Sequence, residues 1–307
     1  MIRPLSPLRA ALLGALLAAL ALVATPFPGA ASPAAPELVF ARGGEIYTRS
    51  ASGAVRRLTH NRVSDGLPSW SPDRSHIVFV RASAPSDADV WIMNADGSHA
   101  RRLAGSARGA QDLYPAFSPD GRWIVFASDR GAREPDLYVM RVDGSGVRRL
   151  VTGPRHVIDT QPRFSPDGRF VVFTSNRPSF FNHELYRVRF PGGAGLTRLT
   201  FWGSGADGAP GDDVSPSYSP DGRRIAFVSD RPDGRYAVWT MDARGRDLRL
   251  VSRHPGQNVV FPRFSPDGTA LVYTSFPSGS GRPERLWSVR VDGGGRRALG
   301  LGGAGDW

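Results

Sequence analysis

The sequence predicts an all-β chain closed into a six-bladed β-propeller of four-stranded antiparallel blades. Three observations predict it: a core of Ser-Pro-Asp-Gly-Arg returns along the chain, its spacing matches one propeller blade, and the same succession of hydrophobic runs follows every copy. The copies begin at Ser71, Ser118, Ser165, Ser219 and Ser265, at intervals of 47, 47, 54 and 46 residues. Arg74 replaces the glycine in the first copy, and Thr269 replaces the arginine in the last.

Each element of the unit has a local reason. A proline three residues before the serine (Pro68, Pro115, Pro162, Pro216, Pro262) and an aromatic just before it (Trp70, Phe117, Phe164, Tyr218, Phe264) mark a short first strand. Ser-Pro-Asp-Gly then spells a type I turn, which favours Ser first, Pro with its fixed φ second and Gly fourth. Runs such as Trp123–Ala127, Phe170–Thr174, Arg224–Val228 and Ala270–Thr274 read as a buried second strand. After a variable loop come a third strand of the type Asp89–Met93 or Asp136–Met140, an Asp-Gly turn (Asp96-Gly97, Asp143-Gly144, Asp292-Gly293) and a fourth run ending in Arg-Arg-Leu. A catalytic pair is needed once and a turn in every blade, so the repeated Ser and Asp specify hairpins.

One meander exposes an apolar face on each side, and radial stacking buries both while leaving only short edges. Residues 37–307 number 271, close to six periods of about 46. The first unit has Leu38–Ala41, Glu45–Thr48 and Val55–Leu58 but no Ser-Pro-Asp turn, so its missing first strand is expected from the C-terminal tail ending at Asp306-Trp307.

The N-terminus reads as a secretory leader: Arg3 and Arg9, an apolar run from Ala10 to Ala24, then Pro26, Pro28 and small residues to Ala31. The run of fifteen is short of the ~20 residues a membrane span needs. The expected organisation is therefore a signal peptide at 1–31, a linker at 32–36 and the propeller at 37–307, periplasmic or secreted, with no transmembrane span in the mature chain. Without cysteine there is no disulfide and no lipid-modified N-terminus. The net charge of +11 is carried by Arg alone, spread through every repeat with no basic tail. That distribution argues against nucleic acid as a partner and leaves attraction to acidic surfaces or polymers outside the cytoplasm.

The quoted residues resemble the TolB-type (PD40, WD40-like) propeller repeat. Tyr114–Arg122, Phe126–Arg130 with its Ser-Asp-Arg, Leu137–Met140 and Arg148–Leu150 carry the likeness, which extends over about 37–307. It implies a six-bladed propeller serving as a periplasmic adaptor that docks a peptidoglycan-associated lipoprotein in the Tol-Pal machinery. With only about five residues between leader and first strand, the propeller part alone is expected, without the family's α/β domain. The repeat also occurs as an accessory propeller in exported peptidases and in polysaccharide lyases.

Function is expected on the face that carries the second-to-third-strand loops and blade-to-blade connections, because rigid scaffolds present binding groups on such loops. Six residues before each serine stand Asp65, Asp112, Asp159 and Asp213, with Asn258 one place out of register and Asp306 as a terminal equivalent. Such a ring at the channel mouth would suit a hard divalent cation such as Ca2+ or a basic peptide; alternatively each Asp caps backbone N–H groups. His60, His156 and His254 fall in alternate connections, a pattern open to a three-histidine metal site or to coincidence. The enlarged connection begins with Phe201-Trp202, and Phe180-Phe181 lie in the same unit, candidate anchors for a protein or sugar partner. Neither a Gly-x-Ser-x-Gly elbow nor a His-Glu-x-x-His motif occurs. The expected protein is a monomeric, non-catalytic binding module for an envelope or secreted protein; the alternative is a lyase or hydrolase, or a binding propeller, acting on acidic polysaccharide through the channel-mouth face.

Overall fold

Every Ser-Pro-Asp copy forms the hairpin its residues specify, and the copies follow one another as six four-stranded sheets. The computed structural model describes residues 38–84, 87–103, 109–131, 134–179, 182–201, 211–231, 234–277 and 284–307. The leader region together with Phe180, Phe181 and Trp202 lies outside the described residues. Blade 1 opens with β1 (Leu38–Arg42), β2 (Glu45–Arg49) and β3 (Val55–Arg57). Blade 2 holds β4 (Ser64–Trp70), β5 (His76–Ala84), β6 (Asp87–Asn94) and β7 (Arg101–Arg102). Blade 3 holds β8 (Asp112–Phe117), β9 (Trp123–Ser128), β10 (Asp136–Arg141) and β11 (Arg148–Val151). Blade 4 holds β12 (Asp159–Phe164), β13 (Phe170–Ser179), β14 (Asn182–Arg189) and β15 (Thr197–Arg198). Blade 5 holds β16 (Asp213–Tyr218), β17 (Arg224–Ser229), β18 (Ala237–Asp242) and β19 (Arg249–Arg253). Blade 6 holds β20 (Gln257–Phe264), β21 (Ala270–Pro277), β22 (Arg285–Arg290) and β23 (Arg297–Leu301). The last strand, β24 (Gly303–Asp306), pairs antiparallel with β1 and supplies the innermost strand of blade 1. No helix among the described residues is long and apolar enough to cross a membrane.

The turn chemistry goes further than the type I assignment. In the third blade Gly121 N–H donates to Ser118 O at 2.9 Å while the Ser118 hydroxyl accepts the Trp123 N–H at 2.9 Å. In the fifth, Ser219 Oγ donates to Asp221 Oδ1 at 2.6 Å. The serine hydroxyl hydrogen bond holds the Asp73 carboxyl down at about 2. The fourth turn residue is left-handed, with φ of 68° at Gly168, and a methyl group built there would stand 3.4 Å from Pro119 Cγ of the previous turn. Each motif glycine thus seats its turn against the proline of its neighbour.

The core sits between the blades. Six apolar clusters occur among the described residues, each shared by two consecutive blades, including the pair joined by ring closure, where Leu38 and Phe40 meet Val272 and Leu286. At the centre of each second strand stands one almost fully buried aromatic, Phe40, Phe79, Phe126, Phe173, Phe227 or Tyr273. Burial of each contributes about 2–3 kcal/mol. Several stack on an aromatic of the third strand, as Phe126 does on Tyr138 at 6.0 Å.

The innermost strands share one irregularity. The residue before the proline has positive φ in five blades (Leu67, Tyr114, Gln161, Ser215, Phe261), and Ala304 takes the same conformation in β24. At these points the pairing register slips, as between Leu113 and Ala116. Such bulges bend a strand and re-aim a side chain. Here they bring Tyr114 and Phe261, from blades three apart, to 6.0 Å between ring centroids.

The tail is tied to both flanking blades: Asp306 Oδ2 accepts Ser69 Oγ at 2.9 Å and Trp70 N–H at 3.0 Å, and Trp307 Nε1 donates to Arg263 O at 3.2 Å. Deletion of residues 303–307 is expected to expose the β1 edge and abolish the single cooperative unfolding transition. Circular dichroism during urea unfolding, with gel filtration for aggregation, reads the outcome.

Candidate functional site

Four of the six innermost strands carry an aspartate at or next to their start, Asp65, Asp112, Asp159 and Asp213, and each pairs with an arginine of its own blade. Asp112 Oδ1 accepts the Ser128 hydroxyl at 2.6 Å and Oδ2 meets Arg130; Asp159 does the same with Ser175 at 2.6 Å and Arg177. Asp213 meets Arg231, whose Nε donates to Ser229 Oγ at 2.8 Å. Asp65 receives Arg81 through Nε at 2.7 Å and Nη2 at 2.9 Å, with Asn61 Nδ2 at 2.7 Å. All four carboxylates are buried. Burial raises the Asp112 and Asp159 carboxyls, the latter to about 6, against the opposing pull of their Arg and Ser partners.

This arrangement corrects the cation-ring expectation and the backbone-cap alternative together. Asp65, Asp112, Asp159 and Asp213 face guanidiniums, and no cluster of three or more candidate ligands occurs among the described residues. Asp306 is not their equivalent either. Its pairing with Val39 matches that of Ser69 with Val78, which sets it four positions further along the strand than Asp65. In blade 6, Val259 stands opposite Ser275 at the aspartate position, and Gln257 Oε1 takes the Ser275 hydroxyl at 2.7 Å.

The Arg-Arg-Leu run divides its work between blades. The first arginine reaches the next blade's outer turn, as Arg56 Nη2 does to Asp96 O at 3.1 Å and Arg148 Nη2 to Pro191 O at 2.8 Å. The second pairs with an acid opening the third strand: Arg57 with Glu45 at 2.6 Å, Arg102 with Asp89 at 2.6 Å, Arg198 with Glu184 at 2.9 Å. Much of the basic excess is therefore structural, a role the sequence reading missed. The available signal was the constant interval of 18 residues from Asp112 to Arg130, Asp159 to Arg177 and Asp213 to Arg231.

The histidines separate. His254 is buried, with Nε2 2.6 Å from the Tyr273 hydroxyl and its ring 4.7 Å from that of Trp287. Burial and then the Arg296 charge push its pKa down to about 4. It is a core residue, so His60, His156 and His254 form no joint metal site. His60 and His156 are exposed. His183, which carries no sequence pattern, joins a polar cluster at the seam of blades 4 and 5: its Nδ1 lies 2.8 Å from Asp212 Oδ1, and the Tyr236 hydroxyl donates to Asp212 Oδ2 at 2.6 Å.

A cleft of about 520 Å3 opens on the loop face beside blade 3, lined by Glu134, Asp136, Arg149, Arg155, His156 and Val157. Asp136 is held by Arg149 at 3.4 Å and by the Gly153 N–H at 3.0 Å. The Arg155 and His156 side chains have no hydrogen-bond or ion-pair partner among the described residues and are exposed, His156 at a φ of 69°. Further round the same face Phe201 is 66% exposed, with the Arg198 guanidinium 4.7 Å above its ring. The cleft offers the Arg155 guanidinium, the His156 imidazole, the carboxylates of Glu134 and Asp136 and an apolar wall. No serine, threonine or cysteine is among its described lining residues.

The family model of the TolB beta-propeller domain (PD40) matches residues 40–156 and 115–210. The chain belongs to this family. Tol-Pal system protein TolB of Anaeromyxobacter dehalogenans is 36% identical over 86 residues, which is 28% of this chain and 18% of that protein. The aligned part thus spans under a fifth of that TolB. The crystal structure of TolB from Acinetobacter baumannii matches with a TM-score of 0.71 at 22% identity, over 90% of this chain and 67% of that one. Oligogalacturonate lyase from Vibrio parahaemolyticus matches with a TM-score of 0.53 at 15% identity, over 87% and 74% of the two chains. At these identities both structures share the propeller fold with the present TolB-type chain.

Arg177→Met is expected to cost ~3–5 kcal/mol, because it strands the buried Asp159 carboxylate. Urea unfolding should show most of the loss recovered in the double variant Asp159→Leu, Arg177→Met. A second prediction concerns acid. Between pH 6.5 and 4 the unfolded chain protonates His254 and the folded chain does not, so stability falls as pH drops through that window. His254→Phe should remove this slope. Comparing the variant with the parent isolates the imidazole from Asp159, whose raised carboxyl acts in the opposite sense between pH 4 and 6.

Proposed function

We propose that this TolB-type propeller is an exported, non-catalytic binding module of the cell envelope that captures another protein on its loop face. The observation that carries the reading is the contrast between the repeated charges and the unrepeated ones. Repeated acids and arginines are consumed within and between blades, whereas Arg155, His156 and Phe201 belong to no repeat position and stand exposed on the variable face. Residues that no blade needs for folding are the ones available for recognition. Family membership supports an envelope protein as partner, and the leader-like segment 1–31 supports export. The mixed character of the cleft, cationic at Arg155 and apolar at Val157, suits a protein segment that offers a carboxylate beside an aliphatic side chain.

The test is capture by tagged residues 32–307 from an envelope extract, with two variants alongside, Arg155→Glu with His156→Ala and Phe201→Ala with Trp202→Ala. A protein bound by the parent and weakened at least ~10-fold by either variant is the expected result. Equal retention by all three would remove the loop face from the reading.

A further inference from the structure

The sequence places three charged residues at one position of the repeat, the residue between the proline and the aromatic of the innermost strand. It is Ser69, Ala116, Arg163, Ser217 and Arg263 in blades 2 to 6 and, by its pairing with Val39, Asp306 in blade 1. Innermost strands line the axis of a propeller, so these side chains converge on the channel. There Arg163 and Arg263 line a cavity together with Leu67, Tyr114, Phe261 and Ala304.

Neither guanidinium is neutralised. Arg263 is 7% exposed, and its one hydrogen bond runs from Nη1 to Pro262 O at 2.9 Å. Arg163 uses Nη1 for Pro162 O at 2.9 Å and Tyr114 O at 3.5 Å. Their Nε and Nη2 groups have no protein acceptor, and no ion pair within 4 Å reaches either residue among the described residues. The nearby Asp306 spends Oδ2 on Ser69 and the Trp70 N–H. Burial, and then the charge of Arg163, lowers the Arg263 pKa well below its ordinary value, with Asp306 opposing. Arginine nevertheless stays charged in proteins, so two guanidiniums and one carboxylate leave a single positive charge in a site walled by aromatic and aliphatic groups.

We propose that this cavity is an anion site in which Arg163 and Arg263 together hold one monovalent anion of about the size of chloride. The charge count sets the valence. The cavity bounds the size, since its volume of about 10 Å3 leaves room for a single small body and none for a polyatomic anion. The Tyr114–Phe261 contact spans the channel on the loop-face side of the two arginines, which stand two positions before Ser165 and Ser265. The anion therefore sits towards the face of the Ser-Pro-Asp turns, apart from the cleft at Arg155 and His156. Bound there, it neutralises the axis and supplies an acceptor for N–H groups that no protein atom accepts.

Two measurements test this on the full propeller. Crystals soaked in bromide should give an anomalous peak between the two guanidiniums; its absence overturns the proposal. At constant ionic strength and pH, replacing gluconate by chloride should raise the melting temperature by roughly 3 °C at a tenfold excess over the dissociation constant. Arg163→Met with Arg263→Met should fold, because it removes buried uncompensated charge, and should lose the chloride-dependent rise. A rise of equal size in parent and variant would overturn the assignment.

Discussion

The pairing of β24 with β1 is the constraint on which the rest of this propeller depends. A four-stranded meander with two apolar faces is stable only when each face meets another blade, and six blades in a row leave two faces bare unless the row closes. Closure here joins residues at opposite ends of the propeller through backbone hydrogen bonds. It is reinforced by Asp306 on blade 2 and by Trp307 on blade 6. With the ring shut, each of the six apolar clusters is shared by two blades, and the aromatic of every second strand lies in one of them.

Closure creates a second problem, which the charged residues solve. Radial packing buries the start of every innermost strand, where the chain crosses from one blade to the next and polar side chains order the backbone. The aspartates there would be costly alone. Each is matched by an arginine at or just beyond the adjacent strand, Asp112 and Asp159 also by a serine hydroxyl, and a second acid-arginine pair stands further out in several blades, between third and fourth strands. A buried ion pair of this kind adds little net stability over an apolar pair, but it penalises any register other than the native one, because a slip strands a charge. The exception is the axis, where Arg163 and Arg263 line one small cavity beside the Tyr114–Phe261 contact and only one carboxylate, Asp306, acts on them.

The sequence and the structure differ most about these charges. Turn residues act on neighbours one to five positions away, so Ser-Pro-Asp-Gly, the strand runs and even the borrowed first strand of blade 1 are legible from spacing. The partners of Asp112 or Asp159 are not legible from residue type alone, because an aspartate at a strand start reads equally as a ligand, a cap or half of an ion pair. Only the antiparallel register, which sets Asp112 opposite Ser128 and near Arg130, decides among them. His60, His156 and His254 show the same limit. They fall at comparable places in the sequence, yet one lies in the core against Tyr273 and Trp287 and two face solvent.

By itself the sequence determined the repeat, the blade count, the hairpin turns, the closure by the tail and the family, since each follows from short-range chemistry repeated at a fixed interval. The tertiary structure alone decided which charges are spent and which are free. That outcome depends on side chains from different strands and blades converging after packing, and on a bulge in each innermost strand that turns Tyr114 and Phe261 across the axis. Burial then separates the structural arginines from Arg155, and it encloses Arg263 beside the half-buried Arg163 where no protein acid neutralises both.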